Sequence, residues 1–294
     1  MDTITLPAYA KINLSLDILG TLPNGYHEVQ MLMQSVSLKD EITIKKTAEK
    51  GIRLFVENAD LPTDNRNLAY RAAMAFCATF PVSEGISVQL RKNIPAAAGL
   101  AGGSSDAAAV LRGLNLLYGS PASLNKLQEI GLTLGADVPY CLQLGCALAE
   151  GIGEHLTALP SAPKCHCLLV KPPQGASTKE IYTAYDAMEK AGLIVHPRTS
   201  VLLGAIASDD YSLLTQNLGN VLEPVTSERV PQIREIKKEM LLLGADAAQM
   251  SGSGPTVFGL FSDAGKAQNA YEAFLGGPYK DACFLTEWTD TFLE

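Results

Sequence analysis

An α+β fold is what the sequence predicts, and three observations predict it. A period-two apolar pattern fills the amino-terminal stretch, helical spacing follows it, and strands and helices then interleave without the regular βαβ rhythm of a doubly wound sheet. From Ile4 to Ile18 every even position is apolar, while the odd positions carry Thr3, Thr5, Tyr9, Lys11, Asn13, Ser15 and Asp17. The pattern predicts a half-buried strand, or two collinear ones. It puts Tyr9, Lys11 and Asn13 on one face and an edge or break at Pro7. TLPNGYHE then supplies a Pro–Asn–Gly turn, and further strands are expected at Glu41–Lys45, Gly51–Glu57 and Ile86–Arg91. Helical spacing covers Asn67–Phe80, Ser104–Tyr118 and Ser123–Leu134; the second presents Ala107, Ala108, Val110, Leu111, Leu114 and Leu117 as a face broad enough to be buried.

The stretch ALPSAPKCH, residues 158–166, holds two prolines and separates two αβ-patterned halves. It predicts domains of residues 1–160 and 161–294. Past it come an expected strand at Cys167–Lys171 and helices at Ser177–Lys190, Ser200–Asn217 and Pro231–Leu243. Two strands at Asp246–Met250 and Thr256–Phe261 are joined by a tight turn. A helix at Ala264–Leu275 and a strand at Ala282–Trp288 follow.

At 294 residues and net charge −8, the chain is a poor candidate for binding nucleic acid or an anionic membrane, so any anion site must be local. No apolar run approaches the roughly 18–20 residues that span a bilayer. The chain opens on a strand pattern rather than a signal peptide, so a reducing cytoplasm is expected. The six cysteines form no CxxC pair; Cys165 and Cys167 fall in CHCLLV, whose alternation reads as a buried strand rather than a ligand set.

The stretch from Ile94, IPAAAGLAGGSSDAAAVL, is bare of bulk just before a helix. It matches neither G-x-x-x-x-G-K-[ST] nor G-x-G-x-x-G. Even so, Gly99, Gly102 and Gly103 permit close approach and positive φ, Ser104 and Ser105 can bind an oxyanion or a metal, and a helix start offers unpaired N–H groups. A side chain at Gly102 is expected to obstruct that approach. The ordinary alternative is a turn that only lets two elements pack. A second such loop, Ser251, Gly252, Ser253 and Gly254 in MSGSGPTVFGLF, could be a hairpin turn or the opposite wall of the same anion site. Asp137 in LGADVPYCL is expected in a loop between a helix and a strand, where a cap or turn role is the commoner one. Lys11 with Asn13 could be a solvated strand face, and Tyr26–His27, just past a turn, could hold a planar ligand or merely pack.

Together these segments resemble the small-molecule kinases of the GHMP superfamily, named for galactokinase, homoserine kinase, mevalonate kinase and phosphomevalonate kinase. PAYAKINLSLDILGTLPNGYHE, LGADVPYCL and MSGSGPTVFGLF resemble one branch in particular, which phosphorylates a cytidine-diphosphate-linked methylerythritol in the non-mevalonate isoprenoid route. The resemblance implies a two-domain fold: an ATP-binding half resembling a ribosomal-protein-like α+β fold, and a carboxy-terminal ferredoxin-like α/β sandwich. It implies ATP and Mg²⁺ as cofactors and a small-molecule substrate as the partner. By the same resemblance Asp137 and Lys11 are catalytic. Pro95, Ala96, Ala97, Ala98, Gly99, Leu100, Ala101, Gly102, Gly103, Ser104 and Ser105 wrap the ATP phosphates, and Asn67 and Leu68 line the adenine pocket. Asn13, Tyr26, His27, Thr178 and Tyr182 contact the substrate, with the cytosine between Tyr26 and Tyr182 and met at its edge by His27. Ser251 to Gly254 support the phosphate loop, and Ser105 is the candidate Mg²⁺ ligand, with no carboxylate partner marked by the motifs. Two other readings stay open: a GHMP-type kinase of another small alcohol, and a non-catalytic nucleotide-binding protein on the same scaffold.

Overall fold

The computed structural model describes residues 2–23 and 25–290. Strands β1 (Thr3–Thr21) and β2 (His27–Thr47) form a long antiparallel hairpin, and β3 (Ile52–Glu57) follows. Helix α1 (Leu68–Thr79) starts at Asn67, whose side chain accepts from Ala69 N at 2.9 Å. Next come β4 (Gly85–Arg91), α2 (Gly102–Leu117), α3 (Leu124–Leu132), α4 (Val138–Gln143), β5 (Cys146–Glu150) and β6 (His155–Leu159). The second half runs β7 (His166–Val170), α5 (Thr178–Lys190), α6 (Thr199–Ala207), α7 (Tyr211–Thr215), β8 (Gly219–Asn220), α8 (Glu223–Arg229) and α9 (Gln232–Leu242). Strands β9 (Ala247–Met250) and β10 (Val257–Phe261), helix α10 (Ala264–Leu275) and strand β11 (Cys283–Thr286) complete it.

Two sheets result. The first has the order β3-β4-β2-β1-β8, with β5 also paired to β2 and β6 to β5. The second is fully antiparallel in the order β11-β7-β10-β9, the ferredoxin-like arrangement with helices inserted between β7 and β9. Two cores hold them. Phe76, Leu111 and Leu114 from α1 and α2 pack on Ile42, Ile44, Val88 and Leu90 of the first sheet. Ile12, Leu14, Leu32 and Val36 of the first sheet share a second core with Leu169, Phe258 and Leu260 of the second.

That second core corrects the half-buried strand. Tyr9, Lys11, Asn13, Ser15 and Asp17 are all buried, because elements cover both faces of β1. Register shifts between Tyr9 and Lys11, and again between Asn13 and Ser15, turn the intervening segment over. Ala8, Leu16 and Ile18 therefore join the helix-side core, while Ala10, Ile12 and Leu14 join the one between the sheets. Lys11 and Asn13 line the cleft described below and Tyr9 does not, so the three do not share a face. Pro7 sits within β1 opposite Glu41, and β8 reaches only Ser15 and Leu16, so the edge reading of Pro7 holds and the break does not.

Other differences have local causes. Strand β2 extends far beyond Glu41–Lys45, since polar Gln34 and Ser35 are buried at its centre and mask the alternation. The Ser200–Asn217 helix divides into α6 and α7 at Asp209, whose φ is +52°, and Asp210 caps the new helix. The Cys165–Cys167 stretch enters β7, with Cys167 fully buried and its thiol pushed well up by desolvation.

Candidate active site

A cleft of about 670 Å³ opens where the two glycine-bearing loops meet, a volume ordinary for a small-molecule site. On one side runs the segment before α2. Ala97, Gly99 and Ala101 have φ of +49°, +75° and +57°, and alternating left-handed residues are the backbone pattern of anion-binding concavities. Left-handed alanines cost free energy and are kept where the fold over-determines them. Helix α2 then begins without a side-chain cap, so its first N–H groups have no side-chain acceptor.

The second loop, between β9 and β10, closes directly on the first. Ser251 Oγ donates to Gly99 O at 3.0 Å, and Asn13 N donates to Ser251 Oγ at 3.3 Å. A Cβ on Gly99 would lie 2.2 Å from Ser251 O, and one on Gly252 would lie 3.0 Å from Gly99 O and 3.4 Å from Lys11 Nζ. Both glycines are required by close backbone approach as well as by positive φ. Asn220 fixes the loop from behind, its Nδ2 donating to Met250 O at 2.9 Å and to Gly252 O at 2.8 Å. Gly99→Ala is expected to cost about 2 kcal/mol of stability and to raise KM for ATP, from left-handed strain plus overpacking. Gly103→Ala, whose Cβ would make ordinary contact with Leu68 at 3.6 Å, keeps the wild-type Tm. Thermal melts and ATP titration of the two variants check this.

Between the loops Lys11 Nζ donates to Asn13 Oδ1 at 2.6 Å and to Gly99 O at 3.3 Å. It lies 4.0 Å from Asp137 Oδ2, within ion-pair range and beyond hydrogen-bond length. Asp137 begins α4, not a strand, and its side chain makes no capping bond, so its partly exposed carboxylate is left open to the cleft.

Most residues singled out in the sequence line this cleft: Lys11, Asn13, Asn67, Leu68, Pro95 through Gly99, Ala101 through Ser104, Asp137, Thr178, Tyr182 and Gly252 through Gly254. Ser251 lies just behind, and Thr178 Oγ1 meets Ser253 Oγ at 2.9 Å. Leu100 does not line it; its side chain is buried in the core between the sheets, and its carbonyl accepts from Lys11 N at 3.2 Å. Ser105 turns the other way: it is buried, its Oγ donates to Tyr9 O at 2.7 Å, and it is not among the residues lining the cleft. A Cβ on Gly102 would meet Ile94 at 3.0 Å and Lys92 at 3.4 Å, so a side chain there strikes the core rather than the phosphate approach. Tyr26 and His27 are not among the residues lining the cleft: Tyr26 is well exposed, and His27 reaches the cleft wall only through Tyr182, whose ring lies 5.0 Å from its own, tilted by 47°. Burial pushes the Tyr182 hydroxyl up to about 12, with Asp137 adding to the shift, so it stays protonated.

Sequence reasoning missed one cluster. Lys92 pairs with Asp40 and, at 2.7 Å, with Asp106, all three nearly fully buried; Lys92 and Asp106 line the cleft. Asp40 also accepts from Ile94 N at 2.8 Å, tying the cluster to the loop. Burial pushes the Asp106 carboxyl up, against the pull of the Lys92 ammonium, and its Oδ1 is buried without a hydrogen-bond partner. A lysine beside Asn93 at a strand end gives no sequence signal of such burial.

Comparison with known proteins matches residues 67–145 to the GHMP kinases N terminal domain and residues 202–280 to the GHMP kinases C terminal family. A 4-diphosphocytidyl-2-C-methyl-D-erythritol kinase of Lachnoclostridium phytofermentans is 48% identical over 291 residues, covering 99% of each chain. One of the same name from Clostridium beijerinckii is 47% identical over 281 residues, 96% of this chain and 98% of that one. A crystal structure of a 4-(cytidine 5'-diphospho)-2C-methyl-D-erythritol kinase superposes with a TM-score of 0.82 at 30% identity, over 98% of this chain and all of that one.

Proposed function

We infer the course of catalysis from one premise: the chain belongs to the GHMP kinases and, within them, to the 4-diphosphocytidyl-2-C-methyl-D-erythritol kinases. It is an ATP-dependent phosphotransferase with an alcohol group of that small molecule as acceptor, a step in isoprenoid biosynthesis. We propose the 2-hydroxyl as the group phosphorylated, and a division of labour between residues 1–160 for ATP and 161–294 for the substrate side and the supporting glycine loop.

Phosphoryl transfer needs alignment and charge compensation more than covalent help. The triphosphate lies against the Pro95–Ser104 segment, whose backbone N–H groups donate to the β- and γ-phosphates, with the adenine beside Asn67 and Leu68. Asp137 accepts the proton of the attacking hydroxyl, and Lys11 orients that hydroxyl against the γ-phosphate and offsets negative charge. The observation that carries this is the packing of both glycine loops around Lys11, with the Asp137 carboxylate open to the cleft and 4.0 Å from the Lys11 ammonium. Asn13 and Thr178 contact the substrate, and Tyr182, with the exposed Tyr26, supplies aromatic surface to the cytosine.

We further propose Mg²⁺ with the ATP, held by Asp106 and Ser104 rather than Ser105. The unpartnered buried Oδ1 of Asp106 at the cleft wall supports this, while the Ser105 hydroxyl is engaged by Tyr9 O. Bound there, the metal would neutralise charge on the β- and γ-phosphate oxygens.

Tyr182→Ala is expected to raise KM for the cytidyl substrate about tenfold and to change KM for ATP by less than about twofold, since base–aromatic stacking is worth ~1–3 kcal/mol. Steady-state kinetics with each substrate varied in turn checks it; equal effects on both constants would place Tyr182 outside the cytosine pocket.

A further inference from the structure

We propose that Asp186 sets the base specificity of the substrate pocket by fixing the tautomer of His27. This rests on the assignment of His27 to the cytosine edge. His27 Nε2 lies 2.7 Å from Asp186 Oδ1, and the His27 side chain is largely buried. An ionised carboxylate only accepts, so a neutral ring facing it carries its proton on Nε2. Nδ1 is then a bare acceptor. Tyr182 at 5.0 Å and Tyr185 at 6.2 Å pack against the ring and restrict its rotation, so the two nitrogens do not trade places.

An acceptor at that position discriminates between pyrimidines. Cytosine offers an exocyclic amine that donates to it, whereas uracil carries a carbonyl oxygen at the same carbon, whose lone pairs would face the Nδ1 lone pair. A site built to pair one partner rejects the analogue mainly by leaving buried polar groups unpaired. Asp186 touches no substrate atom in this scheme. It acts through His27 and is a positioning residue, placed by its location on α5 four residues after Tyr182.

The test compares wild type, Asp186→Ala, Asp186→Glu and His27→Ala at pH 8, using the cytidine-diphosphate-linked substrate and its uridine-diphosphate-linked analogue. Asp186→Ala is expected to lower the cytidyl-over-uridyl ratio of kcat/KM about tenfold, the scale of one hydrogen bond to a charged or buried group, with KM for ATP unchanged. Asp186→Glu restores part of the ratio. In ¹⁵N-labelled wild-type protein the His27 Nδ1 resonance reports an unprotonated nitrogen, and Asp186→Ala shifts the tautomer mixture. If His27→Ala loses the discrimination while Asp186→Ala keeps it, the positioning role falls and the pocket stands. If neither change alters the ratio, the assignment of His27 to the cytosine falls with it. A protonated Nδ1 in the wild type overturns the proposal directly.

Discussion

Asp137→Asn is expected to lower kcat about 10³-fold, the middle of the range for loss of a general base, while affinities for ATP and the cytidyl substrate stay within about twofold. The substitution keeps size and shape at the start of α4 and removes only the carboxylate's charge and basicity. No capping bond depends on that side chain, so the fold should not register the change. Lys11 keeps its bonds to Asn13 and Gly99 and so remains in place. A drop in kcat and kcat/KM together, with unchanged binding, marks an interaction made only in the transition state. Single-turnover kinetics and calorimetric titration of both ligands measure the two halves separately. Turnover within tenfold of wild type would remove Asp137 as the base.

Lys92→Met is expected to destabilise the protein by about 3–5 kcal/mol, because it leaves two buried carboxylates without their cation. Asp40 and Asp106 are almost fully enclosed, and burial already pushes the Asp106 carboxyl up with Lys92 in place. Asp40 also accepts the backbone N–H of Ile94, so its displacement would disturb the entry to the phosphate loop. The effect of the whole cluster differs from that of the single change. Replacing all three with apolar or neutral groups, as Lys92→Met with Asp40→Asn and Asp106→Asn, should recover much of the loss, since a missing buried ion pair costs less than a broken one. Urea denaturation of the two variants decides it; equal midpoints for wild type and Lys92→Met would show the cluster to be energetically idle.

Where the fold was legible in the sequence, local signals agreed with their surroundings. Asn67, Ser123 and Asp263 each cap the helix that follows them. Legibility failed where tertiary structure overrode a local pattern. The alternation of β1 was real, but two bulges turned part of the strand over, and a second core covered the polar side. Periodicity alone carries no sign of either. Strand β8, only two residues long, joins the first sheet from the second half by pairing with β1, a long-range contact no window could reveal.

The candidate site was legible for the same reason that it is chemically distinctive. A Cβ at Gly99 or Gly252 would come within 2.2 or 3.0 Å of a backbone oxygen of the other loop, so the positions of these glycines in the sequence report the approach of the two loops. Asp137 and Lys11 lie 126 residues apart in sequence, by their numbers, and 4.0 Å apart in space. What the sequence did not disclose were groups whose role depends on orientation. Ser105 and Ser104 are neighbours of one type, yet only Ser104 faces the cleft. Asp186, Asn220 and Lys92 act through partners distant in the chain, and no motif marks them.

The most direct test of the central claim is ADP release by the purified protein with ATP and Mg²⁺ on 4-diphosphocytidyl-2-C-methyl-D-erythritol, with mevalonate, homoserine and galactose run in parallel. ADP release confined to the cytidyl substrate, and lost in Asp137→Asn, is the expected result. Release with one of the simpler alcohols and not with the cytidyl compound would contradict the pyrimidine pocket, and release from none of the four would contradict a catalytic cleft altogether.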